Sequence, residues 1–493
     1  MVSNPMLLAI AGFITWYVVS SVLTWYRLRH IPGPKLGSFS YLWVAQKVFR
    51  GKGLDYEHLK KYGSLVRVGP NYVVMDDPED IRRINGARNS SRDEWYLGSK
   101  LDPNQDWILS ILDGDPHDAL KAKISFAYSG RDGIDFGVVV DGQITHLIDV
   151  LRERFLSKGK NGRTIDFAHF IRYFTLDTIT TIGYGKAFGF MDAEGDLYNY
   201  TREIENILGL IATAGDVPVL RRIFISPLVS RLFAPKATDP QGIGKFFSSV
   251  AHKIVEDRME KDDEKTPDMI TSFKRRGLSV EEIKMETFVQ ITAGSDTTAV
   301  AIRSTMLYLM TCPRAYLRLK TEIKEAIASG VSRPITNDQA KKLPYLQAVI
   351  WEGLRMRSPT TYGFYKKIPP KGETIQGKFI PGGTAVGFNL PAVMRLERVF
   401  GQDAQLFRPE RFLECDEEKK MDMIRTVDLV FGYGRWMCAG KTLAMVELNK
   451  IYFELLREFE WQLVYPGNAW IEKAYTAVMQ RNMWVSITEA DTA

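Results

Sequence analysis

Residues 431–440, FGYGRWMCAG, place a single cysteine in a glycine-rich stretch directly before an amphipathic segment. That segment, residues 441–459, predicts a helix, so Cys438 stands just before a helix start, where backbone N–H groups and the helix dipole favour an anion. This position is expected to lower the pKa of the thiol and to stabilise a thiolate. A thiolate in such a loop suits either a nucleophile or a metal ligand.

The other cysteines give Cys438 no partner. Cys312 and Cys415 are distant in sequence, and the spacing contains neither a CxxC pair nor an even-numbered framework. A disulfide scaffold and a zinc cage are therefore improbable, and a reducing compartment is indicated. None of the six histidines is an obvious base for a nucleophilic thiol. A metal held by one thiolate alone suggests a metal that brings its own equatorial ligands, as haem iron does.

A second group of chemically active side chains lies in the middle of a long predicted helix. Ser279 and Glu282 form a capping-box pattern, and no proline follows until Pro313. Residues 293–298, AGSDTT, then separate two apolar runs with a glycine, an acid and hydroxyls, which are poor helix formers. Hydroxyl side chains compete for backbone hydrogen bonds, so the pattern predicts a local distortion or groove.

The composition indicates a globular protein with a large core. The chain has 493 residues, of which 45% are hydrophobic and 25% charged. Its formal charge of +6 is mild, and no basic tract is interleaved with aromatic residues. Nucleic-acid binding is therefore not expected.

The N-terminus predicts a membrane anchor. Residues 6–26 carry no charge, and a helix of about 20 residues spans a bilayer core. Basic residues follow this segment, and the first acidic residue is Asp55, so the positive-inside rule places the rest of the chain in the cytosol. We expect an anchor with its flank at 1–30, a proline-rich hinge at 31–37 and a catalytic body at 38–493. A buried core helix is the weaker alternative.

The body is predicted to be mainly α with small β-sheets. Residues 65–77 alternate around a Gly-Pro-Asn turn, which predicts a hairpin, and Asp77-Pro78 predicts a helix start. Helical patterns continue to about residue 365, and short strands are predicted at 366–386 and near the C-terminus. The polar run 256–268 indicates a solvated helix end and loop.

These motifs resemble those of the cytochrome P450 family, in the same order and over essentially the whole chain. Residues 431–440 fit its FxxGxxxCxG signature, and AGSDTT is similar to the oxygen-activating centre of its long helix. EGLR at 352–355 and FRPERF at 407–412 resemble its ExxR and PERF regions. The anchor and hinge look like those of microsomal members, and the sequence is similar to fungal members of the pisatin-demethylase-like type.

The resemblance implies the P450 fold, a bound haem b and roles for individual residues. Cys438 would be the thiolate ligand of the iron, and Asp296 with Thr297 would deliver protons to bound dioxygen. Glu352, Arg355 and Arg411 would form a buried network that locks the cysteine loop. Further residues implied to contact the haem are Phe431, Gly434, Trp436, Gly440, His117, Lys121, Lys366 and Ala293.

Three of these positions depart from the family pattern. Trp436 stands where members usually carry arginine or histidine, and an indole N–H donates a hydrogen bond but no charge. Lys121 and Lys366 stand where arginine is usual, and lysine lacks the guanidinium fork. For His117 a surface position, and for Phe431 a plain core position, remain alternatives. Thr298 is predicted to be a helix-packing hydroxyl.

The family topology implies a pocket built by loop 95–112, by the long helix and by turns near the C-terminus. The side chains named for it are apolar or aromatic, which suits a lipophilic substrate, although each could equally belong to the core: Phe288, Tyr362, Phe364, Tyr475 and Val478. Segment 217–235 mixes apolar and basic residues, so it either dips into a membrane or packs internally.

The resemblance implies a haem-thiolate monooxygenase that inserts one atom of dioxygen into a lipophilic small molecule. Electrons would come from an NADPH–cytochrome P450 reductase with its FAD and FMN, at the endoplasmic reticulum membrane, in fungal secondary metabolism. Alternatives are a coupling, desaturating or isomerising enzyme and a non-catalytic haem sensor. Asp296 and Thr297 disfavour an isomerase and a sensor, but not coupling by hydrogen abstraction.

Overall fold

The structure, a computed structural model, describes residues 5–54, 56–100, 105–158, 162–233, 239, 241–261 and 265–490. Residues 101–104 of the predicted substrate loop and 234–235 of the predicted membrane-dipping segment lie outside these ranges. The helices are α1 (Pro5–Arg27), α2 (Lys35–Phe39), α3 (Leu42–Phe49), α4 (Tyr56–Lys60), α5 (Pro78–Gly86), α6 (Gly114–Tyr128), α7 (Phe136–Val150), α8 (Phe167–Tyr184), α9 (Phe190–Ala193), α10 (Tyr200–Asp216), α11 (Pro218–Phe224), α12 (Pro227–Phe233), α13 (Ile243–Phe246), α14 (His252–Glu260), α15 (Met269–Arg275), α16 (Val280–Thr311), α17 (Pro313–Ala328), α18 (Asn337–Ala340), α19 (Pro344–Met356), α20 (Leu390–Val393), α21 (Glu397–Phe400), α22 (Glu417–Val427) and α23 (Lys441–Glu458).

Short strands complete the body and form small sheets around the helices. They are β1 (Leu65–Arg67), β2 (Tyr72–Met75), β3 (Ser91–Arg92), β4 (Ile165–Asp166), β5 (Tyr362–Lys367), β6 (Glu373–Ile375), β7 (Lys378–Ile380), β8 (Ala385–Asn389), β9 (Phe459–Leu463), β10 (Ile471–Ala474), β11 (Val478–Arg481) and β12 (Trp484–Glu489). One sheet has the strand order β1-β2-β8-β5-β3, a second has β4-β12-β9, and β6-β7 and β10-β11 are hairpins. The prediction of a mainly helical fold with small sheets is confirmed.

The β1–β2 hairpin and the start of α5 lie where short sequence patterns predict them. β1 and β2 form an antiparallel hairpin, with Leu65 opposite Met75. α5 begins at Pro78, and the Asp77 side chain accepts hydrogen bonds from the next free backbone N–H groups. Proline is favoured at this first helical position because the N–H that it lacks would have no partner there.

α16 is the long helix that the capping box predicts. Its 32 residues begin after Ser279, whose box with Glu282 is formed, and end before Pro313. The helix continues without a break through residues 293–298. The hydroxyls of Ser295 and Thr297 bond back to carbonyls one turn earlier, at 2.7 and 2.8 Å. The predicted distortion or groove stays a prediction, because hydroxyls that bond back in this way can bend a helix without interrupting it.

The core surrounds α16, which packs against α8, α19 and α23. Most of its side chains are buried, including Val300, Ile302 and Met306. At about 1.5 Å per residue the helix is roughly 48 Å long, enough to cross the whole body. Groups contributed by α8, α19 and α23 can therefore meet at its centre.

The predicted transmembrane helix is not supported. Among the residues that the structure describes, no helix is both long and apolar enough to cross a membrane. The end of α1 contacts the body, where the buried Arg67 guanidinium donates to the carbonyls of Thr24 and Trp25 at 3.0 and 3.1 Å. The proline-rich segment lies against β1, since a Cβ on Gly33 would stand 2.0 Å from the Arg67 carbonyl oxygen.

Candidate functional site

The cysteine loop owes its shape to two glycines. Gly432 and Gly434 have φ of 79° and 63°, a left-handed conformation that side chains disfavour. A Cβ on Gly434 would also lie 3.1 Å from the backbone of Gly86, so the loop packs closely on the end of α5. The Cys438 amide then donates to the Phe431 carbonyl at 2.7 Å, which closes the loop before α23.

The Cys438 thiol points to the start of α23, as expected. The backbone N–H groups of Gly440 and Lys441 and the Lys121 ammonium each favour the thiolate and act to lower its pKa. The side chain is accessible, yet protein surrounds the thiol closely, so it borders an interior space. The predicted direction of its pKa was wrong. Burial raises the pKa of Cys438 and outweighs the lowering by the N–H groups and the cation.

Two residues of α6, Lys121 and His117, contact the cysteine loop. Lys121 Nζ donates to the carbonyls of Arg435 and Met437 at 2.6 and 2.8 Å, so it clamps the loop backbone. The His117 ring is buried and lies 4.4 Å from the Trp436 ring, which contradicts a surface position. Burial, with the Arg92 charge, lowers the pKa of His117 to about 4, so the ring is neutral near pH 7.

Trp436 lies between two buried cations. The Arg92 guanidinium is 4.6 Å and the Lys366 ammonium 5.3 Å from its ring, and its indole N–H donates to Ser90 Oγ at 3.3 Å. Burial and the neighbouring Arg92 charge hold the pKa of Lys366 well below its usual range. No carboxylate of the described residues lies within ion-pair distance of either cation. Buried cations without an acid are costly, so the pair suits an anionic ligand.

Sequence reasoning did not find Arg92. The residue belongs to β3, and the register of β3 on β5 places it directly opposite Lys366. Its guanidinium also donates to the carbonyls of Ile108, Leu109 and Ile111, so it fastens the loop at 105–112. No local pattern around Arg92 distinguishes it from the other arginines, because only strand pairing brings it to Trp436.

The centre of α16 also carries accessible side chains. Ala293 is exposed and Thr297 half-buried on a helix whose side chains are mostly buried, so we infer that both border the interior space. Thr298 is buried, and its hydroxyl acts to lower the pKa of the buried Glu447 carboxyl on α23, which agrees with a packing role. Burial raises the pKa of Glu447 to about 8. Sequence reasoning did not identify Glu447 either.

Asp296 is part of a buried ion-pair chain. Its Oδ1 lies 2.6 Å from Nε of Arg172 on α8, and Arg172 Nη1 lies 2.7 Å from Oε1 of Glu205 on α10. Arg172 is 2% exposed. One cation therefore links the acid of α16 to a carboxylate of α10. Neither Arg172 nor Glu205 carries a local sequence signal, because the three helices meet only in the tertiary fold.

Glu352, Arg355 and Arg411 come together in a fully enclosed network. Both Glu352 oxygens accept from Arg355 at 2.7 Å and from Arg411 at 3.2 Å. Arg355 also donates to the carbonyls of Met394 and Ala404 at 2.7 and 2.6 Å. Because every group is paired, this network contributes no reactive group. It fixes segment 407–412, which precedes the cysteine loop.

Most of the residues predicted to contact substrate are packed against protein. Phe288 lies 4.3 Å from the Phe247 ring, and Tyr475 and Val478 are 4% and 1% exposed. Tyr362 is completely buried and donates its hydroxyl to Asp216 at 2.6 Å, so it serves a structural contact. Phe364 is half-buried, and of the five residues it alone keeps a partly accessible side chain.

The interior space fits a haem. Cys438 provides an accessible thiol, and Ala293 and Thr297 are accessible on α16, which packs against α23. Arg92 with Lys366 supply positive charge beside Trp436 of the cysteine loop. A porphyrin carrying propionates would give these cations the anions that they lack. In the part of the chain described, no three His, Cys, Asp or Glu side chains gather to hold a bare ion. A lone thiol therefore suits a metal that brings its other ligands.

Comparisons with known proteins agree with this arrangement. The family model for cytochrome P450 matches residues 38–480. The chain is 43% identical to the cytochrome P450 monooxygenase ABA1 of Pyricularia oryzae over 97% of this chain and 96% of the relative. It is 41% identical to the cytochrome P450 monooxygenase aba1 of Botryotinia fuckeliana over 94% and 92%. These relatives are fungal, but the predicted pisatin-demethylase-like type is not confirmed.

A solved structure supports the fold. The crystal structure of the cytochrome P450DA heme domain superposes with a TM-score of 0.73, over 94% of this chain and 98% of that one, at 16% identity. At that identity the likeness concerns the fold alone. The family match, the curated relatives and the cysteine loop together show that this chain belongs to the cytochrome P450 family and is a P450 monooxygenase.

Proposed function

We propose that this enzyme inserts one atom of dioxygen into a lipophilic small molecule of fungal secondary metabolism. Electrons would come from an NADPH–cytochrome P450 reductase. Two observations carry the proposal: the accessible Cys438 thiol precedes α23, and α16, which packs against α23, has accessible side chains where Asp296 and Thr297 are adjacent. This arrangement provides both a haem ligand and a proton-handling pair.

The chain's own residues account for how a haem would be held. Cys438 would bind the iron, the N–H groups of Gly440 and Lys441 would support its negative charge, and Arg92 with Lys366 would face the propionates. When bound, the haem supplies dioxygen binding and O–O cleavage, which thiolate donation favours. The buried cations would also exclude bulk water from that edge once they are paired.

Asp296 and Thr297 would transfer protons to the interior space. The Thr297 hydroxyl donates to the Ala293 carbonyl at 2.8 Å, which leaves its oxygen free to accept a hydrogen bond in the interior space. The Asp296 carboxylate is held by Arg172 on the other side of the helix. A rotation of the Asp296 side chain would exchange this ion pair for contact with water, and so pass protons to the Thr297 side.

An apolar outer face supports a membrane location and a lipophilic substrate. Large apolar side chains are exposed on α2, α3, α11 and α12: Leu36, Phe39, Leu42, Phe49, Val219, Leu220, Ile223, Leu228 and Leu232. An amphipathic surface of this kind suits an interfacial position. We propose that the protein is bound in this way to the endoplasmic reticulum membrane, with the apolar segment 6–26 contributing.

Spectroscopy of the reduced protein with carbon monoxide tests the assignment. The wild type should show the absorption of a haem with a thiolate ligand, and Cys438→Ala should lose it. Retention of that spectrum by the variant would overturn the ligand assignment. Turnover with reductase, NADPH and isotope-labelled dioxygen then separates the activities. Label in the product supports oxygen insertion, whereas a dehydrogenated or coupled product without label supports the alternative.

A further inference from the structure

Asp216, the last residue of α10, fastens the joint between α10 and α11 to the body. The residue is completely buried. The Trp95 indole N–H donates to its Oδ1 at 2.7 Å, and the Tyr362 hydroxyl donates to its Oδ2 at 2.6 Å. Trp95 belongs to the 3-10 helix Glu94–Ser99 and Tyr362 to β5. Each carboxyl oxygen is therefore tied to a different element.

A second charged side chain, Arg221, contacts the same joint. Arg221 of α11 is 4% exposed, and its guanidinium donates to Tyr72 Oη at 3.1 Å and to the Gly215 carbonyl at 2.9 Å. It also donates to Glu94 Oε2 at 3.1 Å. An acid and a base five positions apart thus hold the end of α10 and the start of α11 against one 3-10 helix and the sheet.

The backbones meet with no space between them. A Cβ on Gly98 would lie 2.4 Å from Cα of Gly215. The 3-10 helix and the end of α10 therefore touch main chain to main chain. At this contact no molecule can pass between the two main chains unless one of them moves.

The joint connects the helix that carries exposed apolar side chains with elements that reach the cation cluster. On the outside, Val219, Leu220 and Ile223 of α11 are exposed. On the inside, the neighbours of Trp95 and Tyr362 lead to the cation cluster, since Lys366 follows on β5 and donates to the hydroxyl oxygen of Tyr96 at 3.2 Å. The half-buried Phe364, also on β5, lies 6.0 Å from the Trp95 ring.

We propose that Asp216 is the latch of the substrate entrance, meaning the side chain whose two hydrogen bonds hold the entrance closed. When its carboxyl releases Trp95 and Tyr362, the joint lifts and opens a route from the apolar face, past Phe364, to the interior space. A carboxylate that moves from a buried position into water gains hydration, which offsets part of the loss of two hydrogen bonds. Asp216 is a positioning residue and takes no part in the chemistry. The inference rests on the proposed function, because the route must end at a bound haem.

The test compares two ligands of haem iron that differ in size. Imidazole is small and polar, whereas clotrimazole is bulky and lipophilic, and stopped-flow absorbance of the haem-loaded protein follows the binding of each. Tyr362→Phe and Trp95→Phe each remove one donor to Asp216 and keep an aromatic ring. We expect each to raise the association rate of clotrimazole about tenfold, the effect of losing one hydrogen bond to a charged group. The imidazole rate should stay within about twofold.

A matched variant controls for a general loosening of the fold. Tyr316 of α17 donates its hydroxyl to Glu460 at 2.8 Å, a tyrosine–carboxylate bond outside this joint. Tyr316→Phe should leave both rates unchanged. Unaltered clotrimazole rates in both joint variants would overturn the latch, as would an equal acceleration of imidazole. A wild type that gives no azole spectrum would instead overturn the proposed function, and the latch with it.

Discussion

The Arg172 guanidinium lies 2.6 Å from the Asp296 carboxylate and 2.7 Å from that of Glu205, so one buried cation serves two acids on different helices. Asp296 occupies the centre of α16, and Glu205 belongs to α10, the helix that ends at Asp216. Asp296 and the helix that ends at the proposed entrance therefore share one partner. A shift of α10 would change how firmly Asp296 is held.

Arg172→Lys keeps the charge but removes the fork that reaches both carboxylates. We expect turnover to fall about tenfold, equivalent to about 1.4 kcal/mol, and more of the NADPH to end as peroxide, because Asp296 loses its fixed position. Product formed per NADPH consumed measures this, and the solvent isotope effect on turnover reports the proton step. Glu205→Gln leaves the Asp296 contact in place and is the control. Unchanged coupling in Arg172→Lys would remove the proposed role of the pair.

Thr297 and Thr298 are adjacent but face different surroundings, which makes them a matched pair. Thr297→Ala removes the hydroxyl that borders the interior space, so we expect peroxide formation to rise at the expense of product. Thr298→Ala removes a buried hydroxyl that favours the Glu447 carboxylate, so it should lower thermal stability and leave coupling intact. Peroxide assays and thermal melts on both variants distinguish the roles. Equal uncoupling in the two variants would contradict the assignment.

Trp436→Arg would place a third cation beside Arg92 and Lys366, which have no carboxylate partner among the described residues. We expect the haem-free variant to melt at a lower temperature than wild type, and added haem to recover most of the loss, because propionates would neutralise the cluster. Trp436→Phe keeps an aromatic ring between the cations and loses only the bond to Ser90, at a cost of about 1 kcal/mol. A Trp436→Arg protein that haem does not stabilise would contradict this placement.

Glu447 should make stability depend on pH. Burial raises its pKa from 4.5 to about 8, so the folded protein holds a proton there that the unfolded chain releases. The free energy of unfolding that this proton contributes is complete below about pH 4.5 and is lost as the pH rises to about 8. Glu447→Gln should flatten the pH profile in this window when compared with wild type. Denaturant unfolding at several pH values measures it, and parallel profiles would show that Glu447 does not titrate there.

Patterns of a few neighbouring residues were enough to predict where two helices begin and which side chains pair on a third. The capping box at Ser279 placed the start of α16, and Asp77-Pro78 placed the start of α5. The three-residue spacing of Glu352 and Arg355 put both side chains on one face of α19, and they form an ion pair there. These outcomes depend on the helix period and on backbone hydrogen bonding, which a few neighbouring residues decide.

The amino-acid sequence by itself determined the family, the single thiol before α23 and the acid–alcohol pair on α16. Only the tertiary structure decided that Arg92 stands opposite Lys366, that Arg172 holds Asp296, and that Tyr362 bonds to Asp216 rather than lining a pocket. These contacts depend on strand register and on the packing of distant helices, for which no local periodicity exists. The direction of the Cys438 pKa has the same cause, since burial is a property of the folded protein and outweighs the nearby helix start.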